Sequence, residues 1–131
     1  MKFAQRDYVG KDVNIDKLEG LIEEFFREEG FKIQSSKHPN GYLIQAKKGG
    51  IFRTLLAAKR AYTIIIEGQS SNFKVKIGVG EWLKDLGIAA LETFFLTPLL
   101  AFIEIPEALW SYEIEHHLWH YIETQVELGI Q

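Results

Sequence analysis

The side chains best suited to chemistry in this chain are histidines and glutamates near its C-terminus. His116 and His120 are four residues apart and share one face of a helix, where Glu113 and Glu123 flank them. Two imidazoles and a carboxylate form a ligand set that Zn²⁺ accepts. The segment lacks the His-Glu-x-x-His order of a metalloprotease, and the same side chains also suit an ordinary polar helix face. A metal site at His116 and His120 is therefore one hypothesis, and an ordinary polar helix face is the alternative.

Glu115 stands out in the same segment because its helical position falls inside the apolar arc, between Ile122 and Val126. A carboxylate there must be paired, protonated or placed at an oligomer contact, unless its side chain extends past the helix edge. The sequence offers no catalytic partner for it.

A basic stretch in the middle of the chain suits anion binding. Residues 41–80 contain seven Lys or Arg against one acid, whereas residues 81–131 contain nine Asp or Glu against one Lys. Charge and flexible glycines follow each other in Lys47-Lys48-Gly49-Gly50, without the spacing of a P-loop. The candidate anion-binding residues are Lys47, Lys48, Arg53, Arg60, Lys74 and Lys76. A solvated loop is the alternative, and the net charge of −3 argues against nucleic acid as a partner.

Several chemistries are excluded by composition. Cysteine is absent, which removes disulfides, thiolate catalysis and cysteine-based zinc sites. The serines stand in turn-like pairs or on a helix, not in the strand-to-helix elbow of a hydrolase. We therefore predict neither an enzyme nor a cofactor.

The first 80 residues must supply the strands. Residues 1–10 alternate weakly, as an edge strand would, and apolar residues recur at helical spacing from Asp16 to Glu29. Asp16 or Asn14 can cap this helix, and Gly30 can end it. Two β-hairpins are predicted, with strands at Phe31–Ser36, Tyr42–Lys47, Ala61–Glu67 and Phe73–Val79.

Between the hairpins, residues 49–60 read as an irregular connection or a short helix. Alternation in the last strand predicts that Phe73, Val75, Ile77 and Val79 face the core. Lys74 and Lys76 should then face solvent or a partner.

The last 51 residues are helical by pattern. We predict helices at 81–96, from Pro98, and from Pro106 to about residue 128, because proline is well tolerated at a first helical turn. On the first helix Glu81, Asp85 and Glu92 would form one stripe. That stripe is either solvated or faces the basic stretch.

Residues 86–103 form an apolar run of eighteen residues with Glu92 as the single charge. Acidic flanks and Pro98 argue against a membrane span, so we expect a buried helix pair. An oligomer interface and an apolar-ligand pocket are the sharper alternatives. The residues predicted to line that pocket or interface are Trp82, Leu91, Phe94, Phe95, Phe102 and Trp110.

Together these patterns predict one α+β domain over residues 1–131, with helix and hairpins up to residue 80 and a helical segment after it. A single antiparallel sheet of four to five strands would carry the N-terminal amphipathic helix and the C-terminal helices on one face. The predicted function is a non-enzymatic binding or assembly module that is homo-oligomeric and can hold an apolar small molecule. Charges near the N-terminus, where an export signal needs apolar residues, predict a cytoplasmic location.

Overall fold

A computed structural model describes residues 3–48 and 60–130, apart from the side chain of Leu109. Its sheet has five strands: β1 (Phe3–Val9), β2 (Lys32–His38), β3 (Gly41–Lys47), β4 (Arg60–Gln69) and β5 (Asn72–Glu81). The helices are α1 (Ile15–Glu28), α2 (Ile88–Leu96), α3 (Pro98–Ala101) and α4 (Tyr112–Glu127), with a 3-10 turn at Glu107–Leu109. The predicted α+β class, the single antiparallel sheet, and the presence of an N-terminal helix and of C-terminal helices are confirmed. The predicted connection at 49–60 lies outside the described residues up to position 59.

The sheet has the order β1-β5-β4-β3-β2, and every neighbouring pair is antiparallel. Its two hairpins come from tight turns, because only Pro39 and Asn40 separate β2 from β3. Gly41 begins β3 with φ +150°, and a Cβ there would lie 1.8 Å from the carbonyl oxygen of Ile66. Glycine is therefore required where this turn meets β4. As predicted, the first ten residues supply an edge strand.

Both faces of the sheet are covered by helices. On the first face, α1 and α4 pack on alternate residues of the central strands, among them Ile44, Ile64 and Val75. On the second face, α2 and the residues after α3 pack on Leu43 and Ile65. The prediction placed all helices on one face, whereas the structure divides them between two. The reason is that β3 and β4 are apolar at consecutive positions and so present apolar side chains on both sides.

Helix α1 begins and ends at the residues that its sequence favours. The Asn14 side chain caps it by accepting the Lys17 N–H at 3.1 Å. Of the two candidate caps, Asn14 is therefore the one used. Gly30 takes φ +86° just after the last turn, as a left-handed helix stop does.

Two predicted helix starts are wrong. Residues 81–87 are not helical, because β5 continues to Glu81, which is opposite Arg60, and α2 begins only after Gly87. The long last helix begins at Tyr112 instead of Pro106, because Ser111 caps it by accepting the Ile114 N–H. Within the described residues, no helix is long and apolar enough to cross a membrane.

The approach of α2 to the sheet depends on a glycine. Gly80 lies under the Phe94 ring, and a Cβ at Gly80 would be 2.9 Å from that ring and 3.0 Å from the Thr63 hydroxyl. The chain after α3 returns to the same place, where Phe102 forms a bridge with Gly80 and the Ile103 N–H donates to the Val79 carbonyl at 2.7 Å. Strand β5 therefore contacts α2 at Phe94 and the chain just after α3.

We predict that Gly80→Ala lowers the free energy of unfolding by about 1–3 kcal/mol, because the added methyl must displace the buried Phe94 ring. Urea unfolding followed by circular dichroism measures this. Gly20→Ala is the matched control: its Cβ would meet nothing within 4 Å on α1, and it should stabilise by about 0.5–1 kcal/mol. Equal effects of the two substitutions on the free energy of unfolding would contradict the close contact between Gly80 and the Phe94 ring.

Candidate functional site

The α2–α3 segment, which covers the second face of the sheet, carries four large apolar side chains that are mostly exposed. Ile88 is 79% exposed, Leu96 69%, Leu99 62% and Leu100 82%. We call these four residues the apolar crest. Single exposed leucines are common on soluble proteins, but four within thirteen residues of one helical segment mark an interaction surface.

A groove adjoins the crest between α2, α3 and the end of β5. Its volume is about 260 Å³, and Leu83, Phe94, Leu100 and Ile103 are part of its lining. Glu81 is the charged residue among the described lining residues. The groove is therefore mainly apolar, and it opens on the same side of the molecule as Leu100.

The space between α2 and the sheet is filled by side chains. Four of the predicted pocket residues, Leu91, Phe94, Phe95 and Phe102, are buried together with Leu43 and Ile65. Trp110 is buried in the core of the first face, and Trp82 is half-buried near the ends of β2 and β3. The structure thus brings together four of the six predicted residues as core, and it separates Trp82 and Trp110 from them.

A polar contact also fixes α2 to the sheet. His38 is 5% exposed and stacks on Phe95, with ring centroids 4.1 Å apart. Its Nδ1 accepts the Asn40 N–H at 3.0 Å, so its Nε2 carries the proton and donates to Glu92 at 2.7 Å. The single charge of the apolar run is used in this contact.

The predicted stripe of carboxylates does not form. Glu81 ends β5, Asp85 lies in the connection before α2, and Glu92 lies within α2 against His38. The stripe required a helix through all three positions, and the extension of β5 removes it.

The predicted anion-binding residues lie at different places. Lys47 and Lys48 are on opposite faces of the sheet: the Lys47 ammonium lies over Trp82, and the Lys48 ammonium donates to the Glu29 carbonyl at 2.8 Å. Arg60 is exposed at the start of β4, Lys74 is half-buried near the other end of the sheet, and Arg53 lies outside the described residues.

The prediction that Lys76 faces solvent or a partner is wrong. It is 7% exposed, and its ammonium lies 3.4 Å from the Glu67 carboxylate of the neighbouring strand. The described residues of the basic stretch therefore do not form one patch.

The two histidines of the metal hypothesis lie on the exposed side of α4. In the part of the chain that the structure describes, no three His, Cys, Asp or Glu side chains come together to hold a metal ion. A site at His116 and His120 therefore stays a prediction without a third ligand from the described residues.

Glu115 is paired by two tryptophans. Its Oε1 accepts the Trp110 indole N–H at 2.6 Å and its Oε2 accepts that of Trp119 at 3.2 Å. The half-buried carboxylate thus satisfies two buried indole donors and links the first turn of α4 to Trp110, which precedes the helix cap Ser111. Of the alternatives left open by the sequence, pairing within the chain is the one observed.

A pair of carboxylates on α1 was missed by the sequence analysis. Glu19 is 9% exposed and faces β2 together with Glu23, whose Oε2 accepts the Ser35 hydroxyl at 3.2 Å. Burial, followed by the nearby Glu23 carboxylate, raises the pKa of Glu19 to about 8. A signal was present, because Glu19 precedes the buried Ile22 and Phe26 by three and seven residues and so shares their face.

This pair predicts a loss of stability as the pH rises. Folded Glu19 keeps its proton up to a pKa of about 8, whereas the unfolded chain releases it near 4.5, so the free energy of unfolding should fall across that interval. Glu19→Gln should remove this part of the pH dependence and stabilise the protein most at alkaline pH. Chemical unfolding at a series of pH values measures the slope. The exposed Glu28→Gln on the same helix should leave the slope unchanged, and an unchanged slope in Glu19→Gln would refute the assignment.

Comparison with known proteins found no matching family model, no matching curated protein and no matching solved structure.

Proposed function

We propose that this protein is a non-enzymatic assembly module that associates with a second copy of itself through the apolar crest on α2 and α3. The observation that carries the proposal is the exposure of Ile88, Leu96, Leu99 and Leu100, which ranges from 62% to 82%. Water contact with four large aliphatic side chains is unfavourable, and a partner surface removes it.

The charge of the segment favours a second copy as the partner. Between residues 88 and 101 the one charged side chain is Glu92, and His38 holds it against the sheet. In a two-fold contact both copies use the same surface, so each copy meets in its partner the charges that it carries itself. An uncharged crest can meet its own copy without bringing like charges together, so self-association costs no electrostatic repulsion at its centre.

Two other occupants fit less well. Acidic residues flank the crest on both sides, Glu81 and Asp85 before it and Glu104 and Glu107 after it, and anionic lipid headgroups would repel them. A ligand between α2 and the sheet would have to displace the buried cluster around Phe94. The open groove of about 260 Å³ is below the usual size of a small-molecule site, and it suits a side chain from a second copy better.

The energetics favour a dimer of moderate affinity. At roughly 1.5 kcal/mol for each buried aliphatic side chain, four crest residues from each copy contribute about 12 kcal/mol. The loss of translational and rotational freedom costs about 4–15 kcal/mol. The two terms are of similar size, so we expect a dimer that dissociates on dilution.

We predict that Leu100→Glu makes the protein monomeric, because the two-fold contact would bring carboxylates into an apolar interface. Sedimentation velocity over a range of concentrations measures the dimer dissociation constant, and the wild type should shift from monomer to dimer as concentration rises. The side chain is 82% exposed, so the variant should fold with wild-type circular dichroism.

Leu128→Glu provides the matched control, since Leu128 is 72% exposed just after α4, away from the crest. It should dimerise as the wild type does. A wild type that stays monomeric over the whole range, or a Leu128→Glu variant that dissociates as readily as Leu100→Glu, would reject the crest as the interface.

A further inference from the structure

Two lysines face each other at one end of the sheet. Lys32 begins β2 and Lys47 ends β3, and the two are direct partners in the antiparallel ladder. Like charges at directly opposite positions destabilise a sheet, because their side chains leave the same face close together. In the described part of the chain, neither ammonium has a carboxylate within ion-pair distance. Among the described residues, these two neighbouring positive charges are therefore not neutralised by an ion pair.

The two ammonium groups converge on one tryptophan. The Lys47 Nζ lies 4.4 Å from the ring centroid of Trp82, and the Lys32 Nζ lies 6.0 Å from it. Both distances are within the range of cation–π attraction, which offsets part of the repulsion between the ammonium groups. Trp82 is half-buried, so part of its surface remains open to solvent.

Trp82 is held in place by hydrogen bonds on both sides of it. The Gln45 side chain donates to the Glu81 carbonyl at 2.7 Å and accepts the Leu83 N–H at 3.0 Å. The Gln34 side chain donates to the Leu83 carbonyl at 2.9 Å. Two glutamines from the second face thus fix the backbone around Trp82 beside Lys32 and Lys47, so the arrangement is built into the fold.

We propose that Lys32, Lys47 and Trp82 form a binding site for a phosphate ester of a planar ring, such as a mononucleotide. Two ammonium groups present six N–H donors, and a phosphate oxygen cluster accepts several of them while it neutralises both charges. The Lys47 ammonium lies over the indole, and the part of this half-buried ring that is open to solvent offers an aromatic surface against which the attached ring stacks. This site is separate from the apolar crest, and it does not depend on self-association.

The surroundings favour a small ligand over a nucleic-acid strand. A strand needs basic side chains that continue along its path, but Lys74 and Lys76 lie farther along β5, and Lys76 is buried against Glu67. After Trp82 the chain carries one base, Lys84, against eight acids, of which Asp85 is the first. An extended polyanion that followed the chain past Trp82 would meet repulsion from these acids.

The test is an NMR titration of the tryptophan indole signals with adenosine monophosphate and, separately, with ribose 5-phosphate. These ligands share a phosphate ester and differ in the planar ring. The Trp82 signal should shift with saturation, whereas those of Trp110 and Trp119, whose N–H groups donate to Glu115, should not move. Stacking should make adenosine monophosphate bind about fivefold or more tightly than ribose 5-phosphate. Trp82→Phe assigns the signal.

Charge substitutions complete the test. Lys47→Gln should weaken adenosine monophosphate binding about tenfold, because one charged hydrogen bond is lost. Lys17→Gln, which removes an exposed lysine from α1, should bind as the wild type does. The proposal is overturned if the Trp82 signal does not move, if both ligands bind equally, or if the two lysine variants have the same affinity.

Discussion

Apolar side chains at consecutive positions of β3 and β4 set the main constraint on this structure. In a strand, neighbours point to opposite faces, so Ile64 and Ile65 need cover on different sides of the sheet. A chain of this length meets that need with two helical layers, α1 and α4 on one side and the α2–α3 segment on the other. The second layer is short. Its inward residues, such as Leu91 and Phe94, pack against the sheet, and outward ones such as Ile88 and Leu100 are mostly exposed. The apolar crest is thus a consequence of covering two faces with few helices.

Two specific contacts hold the short second layer on the sheet. Gly80 allows the Phe94 ring to approach the backbone of β5, and His38 supplies a hydrogen bond to the one acid of α2. Both contacts place α2 in a defined position where apolar packing alone would permit sliding. A crest held in one position would lose little conformational freedom in the proposed dimer, which favours a defined interface over nonspecific aggregation. The same face ends in the Gln34 and Gln45 hydrogen bonds that fix Trp82, so polar side chains position both proposed binding surfaces.

Local patterns were sufficient for α1 and for the hairpins, because helical spacing and a Pro-Asn-Gly turn act within a few residues. They failed after Val79, where β5 continues through Gly80 to Glu81. Glycine has no strand preference, and pairing with β4 decides the structure there. Distance along the chain hid other features: His38 meets Glu92 from 54 positions away, and Lys76 finds Glu67 on another strand. Trp82 was assigned to an apolar pocket because its hydrophobic surface is visible in the sequence, whereas the approach of two lysines depends on strand register. The burial of Glu19, in contrast, could have been predicted, because Glu19 shares the helix face of Ile22 and Phe26.

The edges of the sheet bear on how large an assembly can become. Beyond the pair of Phe3 and Gly78 at the start of β1, Phe102 and Ile103 lie beside β5, where Phe102 forms a bridge with Gly80 and the Ile103 N–H donates to the Val79 carbonyl. The two outer strands carry exposed charges, Arg6 and Asp7 on β1 and Lys32 and Lys37 on β2. Charged border strands resist the addition of further strands, which is the route by which sheets grow into fibres. In the proposed dimer the contact is between helices, and a two-fold contact of that kind is complete at two chains.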